Sequence, residues 1–169
     1  MGPEQPLANG IVDYLHKRKV KVFGPNKFAS QLESSKAFMK KLCKKNNIPT
    51  ANFGIFNNFK NNSKFIKKNN LPIVVKADGL ASGKGVTICN SIEDALKNTK
   101  EILNGKFKSS KKVIIEEFLK GEELSYFAIV DENSYHFFGT AQDHKKVGEG
   151  DIGPNTGGMG AYSPSSLLT

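Results

Sequence analysis

With 169 residues, 38% of them hydrophobic and 24% charged, the chain has enough apolar material for a buried core and no apolar run long enough to span a membrane. Its net charge of +9 raises nucleic acid as a partner, yet Arg18 is the sole arginine among 25 basic residues, and surfaces that read nucleic acid favour the arginine fork. The lysines alternate with asparagines, as in Lys44-Lys45-Asn46-Asn47 and Lys67-Lys68-Asn69-Asn70, so most of this charge reads as solvated surface and a composition bias, and neither a nucleic acid nor a membrane is expected as partner. Cys43 and Cys89 make no disulfide framework, and the three histidines are too scattered for a metal cluster by spacing.

Leu7, Ile11 and Leu15 recur on one helical face, and Lys19 to Phe23 alternates as a strand that Gly24-Pro25 ends. One helix and one strand make no core, so residues 1–25 are expected to pack against other elements. Phe38 and Leu42, and Met39 and Cys43, predict a helix from about Ser34 to Lys45, with Lys36 set against the helix dipole in the first turn. Asn46-Asn47 and Ile48-Pro49 close it. A strand over Ala51 to Phe56 and a short helix around Phe65-Ile66 follow.

The organising stretch is Pro72 to Gly85, P-I-V-V-K-A-D-G-L-A-S-G-K-G. Ile73, Val74 and Val75 predict a buried strand running into a glycine loop. Gly79, Gly83 and Gly85 can take positive φ and let backbone N–H groups close on an anion, while Lys76 and Lys84 supply charge. Gly85 stands where the P-loop pattern requires Ser or Thr. The segment by itself reads equally as a phosphate grip or as a glycine-rich hairpin with two solvated lysines.

Val86 to Cys89 predicts a strand, and Ser91 with Asp94 a capping pair opening a helix that Gly105 stops. Val113-Ile114-Ile115 predicts a second buried strand, entering Glu116 to Leu119. The run from Leu124 to Val130 is apolar on both faces and so is expected to be covered on both, with Asp131-Glu132-Asn133 turning it into a hairpin with Tyr135 to Phe138. Ala141 to Gly160 holds six glycines and no apolar periodicity, and is expected to be a long functional loop.

Three segments in order, V-V-K-A-D-G-L-A-S-G-K-G, E-E-F-L-K-G-E-E-L-S and Q-D-H-K-K-V-G-E-G-D-I-G-P-N-T-G-G-M-G-A-Y-S-P, resemble the glycinamide ribonucleotide synthetase family of the ATP-grasp superfamily. The first two recur loosely across the superfamily; the third is specific to the family. The resemblance implies an α/β chain of the α+β kind. Its divisions would be 1–25 as the tail of an N-terminal domain, 26–49 as linker and start of the large lobe, 50–117 as the small nucleotide-clamping lobe, and 118–169 as large lobe with a substrate loop. It also implies that the family's sequence continues at both ends of these 169 residues.

The implied reaction joins glycine to 5-phosphoribosylamine with cleavage of ATP, in purine biosynthesis. By resemblance Lys36 and Lys76 contact the α- and β-phosphates, and Ala81, Ser82, Gly83, Lys84 and Gly85 fold over the triphosphate; Lys36, Lys76 and Lys84 act electrostatically. The backbone of Glu116, Glu117, Phe118 and Leu119 reads adenine, and Glu123 accepts from the ribose. From the residues alone, the alternative reading of Glu116 and Glu117 is an exposed strand end. Asp143, His144, Lys145, Asn155, Thr156, Gly157 and Gly158 line the glycine and phosphoribosylamine side. The family's Mg2+ (or Mn2+) ligands fall beyond Thr169, so no metal ligand is assigned and the 169 residues are expected to be inactive by themselves. A cytoplasmic, monomeric enzyme is the expectation. A non-catalytic nucleotide-binding remnant, another ATP-grasp ligase and a basic nucleic-acid-binding domain are the alternatives.

Overall fold

The computed structural model describes residues 4–81, 84–108, 110–150, 152–155 and 160–168, with no side-chain description at 154 and 155. The chain divides into two units, Met1–Leu119 and Lys120–Thr169.

The first unit opens with α1 (Glu4–Asn9) and α2 (Ile11–Lys17), two helices where the spacing of Leu7, Ile11 and Leu15 predicts one, because Gly10 between them has φ +90°. The strand expected over Lys19 to Phe23 does not form. Lys19 takes φ +59°, and the N–H of Val20 donates back to Leu15 O, so that donor is spent on closing α2. Next come α3 (Gln31–Ser34) and α4 (Lys36–Lys45), separated by Ser35, whose hydroxyl accepts from the Phe38 N–H as the N-cap of α4. Asn47, at φ +55°, ends α4, with the Ile48 N–H bonded to Cys43 O.

The remainder of this unit is an antiparallel sheet of β1 (Phe53–Phe56), β2 (Ile73–Ala77), β3 (Val86–Cys89) and β4 (Val113–Glu117), in the order β1-β4-β2-β3. With it go α5 (Phe59–Ile66) and α6 (Ile92–Leu103). Ser91 accepts from the Asp94 N–H and donates to its carboxylate, which is the start the sequence predicts for α6. Alternation sorts β2 and β4 into two faces. Ile73, Val75, Ala77, Val113 and Ile115 form a core with Ile66 of α5 and with Ala95 and Ile102 of α6. Cys89 joins that core, and burial, with the Asp94 charge adding to it, pushes its thiol up to about 11. The other face carries Lys76 and Glu116. In the register Val74 stands opposite Glu116 and Lys76 opposite Ile114, so the two charged residues are diagonal neighbours on adjacent strands.

The second unit is built on β5 (Ser125–Val130) and β6 (Tyr135–Asp143), joined at Asp131, whose carboxylate accepts from the Asn133 and Ser134 N–H groups. These backbone donors, with the Ser134 hydroxyl, hold the Asp131 carboxyl below its ordinary range. The hairpin is as expected, but β5 is exposed along its whole length, not covered on both faces. Apolar residues on both faces show that a strand could be covered, not that anything covers it. The segment expected to be one long loop contains structure: β6 runs on to Asp143, and β7 (Lys146–Gly148) pairs with β8 (Ile152–Asn155). β9 (Ala161–Tyr162) pairs with the end of β6.

Candidate functional site

The glycine loop starts where β2 ends. Gly79 is at φ +86°, as expected of it, and Lys36 Nζ donates to its carbonyl at 2.9 Å. Gly85 earns its place differently from the expectation, through space and not through φ. A Cβ there would lie 2.7 Å from the Ala81 methyl and 3.2 Å from that of Ala77, while the Ala77 N–H donates to Gly85 O at 2.7 Å. The Lys84 N–H bonds to Ala81 O, and the Lys84 side chain is exposed. Ser82 and Gly83 lie outside the described residues.

Asp78, between Lys76 and this loop, was not among the residues the sequence singled out. Its Oδ1 accepts from the N–H groups of Ala37 and Gly79 at 3.1 Å each and from the Ser35 hydroxyl at 3.2 Å. The carboxylate therefore sits at the start of α4, where the dipole favours negative charge. That placement answers the oddity of a lysine in the first turn, since the ammonium of Lys36 points to a carbonyl beside an anion that already occupies the helix start.

On the face opposite the core, Glu116 Oε2 meets two ammonium groups, Lys76 at 2.9 Å and Lys40 at 3.0 Å. The side chains of Glu116 and Lys40 are 4% and 5% exposed, and that of Lys76 is 25% exposed. Lys40 Nζ also donates to Thr50 Oγ1 at 2.6 Å, whereas Glu116 Oε1 has no partner. Glu116 is thus buried in an ion cluster, which removes its reading as an exposed strand end. Glu117 is half-buried and accepts from the backbone and side chain of Asn52. Phe118 is half-buried and Leu119 exposed. Lys40 and Thr50 were missed because nothing local marks them; the one signal was a polar residue a turn after Lys36, on a helix with an otherwise apolar inner face.

In the second unit Lys145 Nζ lies 2.9 Å from a Glu123 oxygen and 3.1 Å from an Asp143 oxygen. Hydrogen bonding to Glu123 leads in raising the Lys145 pKa above its ordinary value. The structure therefore brings together residues the resemblance assigns to two roles, Glu123 to the ribose and the other two to the substrates. The His144 N–H donates to Gly160 O, and its ring stands 6.0 Å from that of Tyr162. The side chain of Asn155, and all of Thr156, Gly157 and Gly158, lie outside the described residues.

The ammonium groups of Lys36 and Lys76 could pair with a polyphosphate by charge, whereas the tight packing at Gly85 is against the Ala77 and Ala81 methyls. Among the described residues no group of three or more His, Cys, Asp or Glu side chains could hold a metal ion, so no residue is assigned to magnesium. No described helix is long and apolar enough to cross a membrane.

Comparison with known proteins matches residues 34–169 to the ATP-grasp (A) domain of phosphoribosylglycinamide synthetase and residues 1–33 to its N domain. The chain belongs to the phosphoribosylglycinamide synthetase family. A phosphoribosylamine–glycine ligase of Mesorhizobium japonicum is 49% identical over 170 residues, covering 100% of this chain and 40% of that protein. The crystal structure of the Thermotoga maritima phosphoribosylamine–glycine ligase superposes with a TM-score of 0.81 at 39% identity, over 92% of this chain and 40% of that one. The chain thus spans about 40% of the length of these relatives. The biotin carboxylase domain of a Hydrogenobacter thermophilus carboxylase, solved with MgADP, shares the fold at 18% identity and a TM-score of 0.67, over 79% of this chain and 31% of that one. The α+β, ATP-grasp architecture implied by the resemblance is the fold of this chain.

Proposed function

We propose that this chain forms the nucleotide-binding part of a phosphoribosylamine–glycine ligase, using ATP and Mg2+ to join glycine to 5-phosphoribosylamine in purine biosynthesis. Glycine's carboxylate displaces ADP from the γ-phosphorus to give glycyl phosphate. The amine of phosphoribosylamine then attacks the acyl carbon, and phosphate leaves. Such chemistry needs charge neutralisation and alignment more than a proton-transferring side chain. In this reading Lys36 and Lys76 take the phosphates, Ala81 to Gly85 with Lys84 cover them, and Glu116 to Leu119 line the adenine. Glu123 holds the ribose, and Asp143, His144, Lys145 and Asn155 to Gly158 face glycine and phosphoribosylamine. The 50–117 segment acts as the small lobe, and the enzyme is cytoplasmic and monomeric.

The observation that supports this best is Lys76, a cation held part-exposed on a sheet face at the mouth of a glycine turn, in a chain of this family. The test is a chimera in which these 169 residues replace the matching segment of the Mesorhizobium japonicum relative. ADP release that requires both glycine and phosphoribosylamine is expected. ATP binding without ligation would favour a non-catalytic nucleotide module.

A further inference from the structure

The three-residue cluster on the outer face of the sheet has an uneven charge balance. Glu116 contributes one negative charge, and Lys76 and Lys40 one positive charge each, all meeting at a single oxygen, Oε2. A lone Lys76–Glu116 pair would be neutral as a unit, and its ammonium would already have its anion. Such a lysine is a poor phosphate ligand, because an incoming phosphate would have to compete with a buried carboxylate held at 2.9 Å. Lys40 changes that balance from the protein side. It is buried, is fixed by Thr50, and is 3.0 Å from the same oxygen, so the cluster as a whole carries a charge of +1. Of the three side chains Lys76 is the most exposed, so the surplus charge surfaces there.

We propose that Lys40 is a positioning residue for phosphate binding. By cancelling Glu116 from the buried side it leaves the charge of Lys76 free for an anionic ligand, although Lys40 itself touches no ligand. This rests on the reading of Lys76 as a nucleotide ligand, and goes beyond it by assigning the affinity to a second lysine behind the first.

The experiment is ATP titration calorimetry on the chain and three variants, with far-UV circular dichroism as the check on folding. Lys40→Met is expected to raise the Kd about 10- to 100-fold, as loss of one charged interaction would. Lys40→Arg keeps the charge and is expected to bind like the parent. Lys40→Met combined with Glu116→Gln removes one charge of each sign, restores the balance to +1, and is expected to recover binding to within about threefold of the parent. A Lys40 needed only for folding would lower stability in urea unfolding and leave the ATP Kd of the folded Lys40→Met chain at the parent value. Parent-like affinity in Lys40→Met, or no recovery in the double variant, would overturn the inference. Should Lys40→Met fail to fold, Lys40→Gln, which keeps a polar group for Thr50 and Glu116 but not the charge, is read in its place: a Kd raised about 10-fold supports the inference and a parent-like Kd overturns it. No ATP binding by the parent chain would instead sink the nucleotide reading itself.

Discussion

Two charge clusters of three residues, one in each unit, are built in opposite senses. In the first unit one carboxylate, Glu116, is shared by two ammonium groups and is buried. In the second, one ammonium, Lys145, is shared by two carboxylates, with Glu123 71% exposed and Lys145 43% exposed. The same kind of contact at nearly the same distances has different consequences, because burial decides how much of the electrostatic energy survives water. A buried charge stripped of its partner is costly, while an exposed pair is screened and contributes little. The first cluster is an internal fixture that fixes where one surface cation stands. The second is held weakly, and either carboxylate could be lost at small cost in stability.

The largest effect that would test this contrast is Glu116→Ala, which strands Lys40 in the interior. It should cost about 3–5 kcal/mol of stability in urea unfolding; a loss below about 1 kcal/mol would mean water reaches the cluster. Next is Lys76→Ala, expected to weaken ATP binding by about 1.5–3 kcal/mol. Its effect on stability should be smaller than that of Glu116→Ala, because Lys40 still partners the carboxylate. Unchanged ATP affinity would make Lys76 a bystander. Glu123→Gln, in the exposed cluster, should change stability by less than about 1 kcal/mol, with the difference fading in high salt. The smallest effect concerns pH. Because the Lys145 pKa is raised in the folded state, its contribution is present in full below the ordinary value of 10.5 and is lost as pH rises through the folded value. Substitution of Lys145 by Met should therefore flatten the alkaline limb of the stability profile slightly, and an unchanged limb would show that the contact does not persist in solution.

How much of this could be read from the sequence follows from how local each signal was. The strands β2 and β4 and the capped start of α6 were legible, because β-branched runs and a Ser91-Asp94 pair need only neighbouring residues to declare themselves. Lys19 to Phe23 carried the same alternation as a strand and failed, since alternation says nothing about whether a partner edge exists. The lysines of the candidate site were partly visible: Lys36 and Lys76 through motif position, Lys40 only as a polar residue a turn after Lys36. Its partner Glu116 is 76 residues away in the chain, and only the β2–β4 register with α4 behind it joins them. The exposed length of β5 was equally hidden, because two apolar faces describe the strand and not its surroundings.

The tight contact at Gly85 bears on which sequences this loop can explore. Its missing Cβ is answered by two methyl groups, of Ala81 and Ala77, so the three positions share one fixed volume. A substitution scan would show them constrained jointly: Gly85→Ala alone forces backbone or methyl atoms to move, whereas Gly85→Ala with Ala81→Gly hands the same methyl from one side of the gap to the other. Variation at the base of the loop is therefore expected to come in compensating pairs of small residues, and drift at any one of the three positions to wait on a change at another.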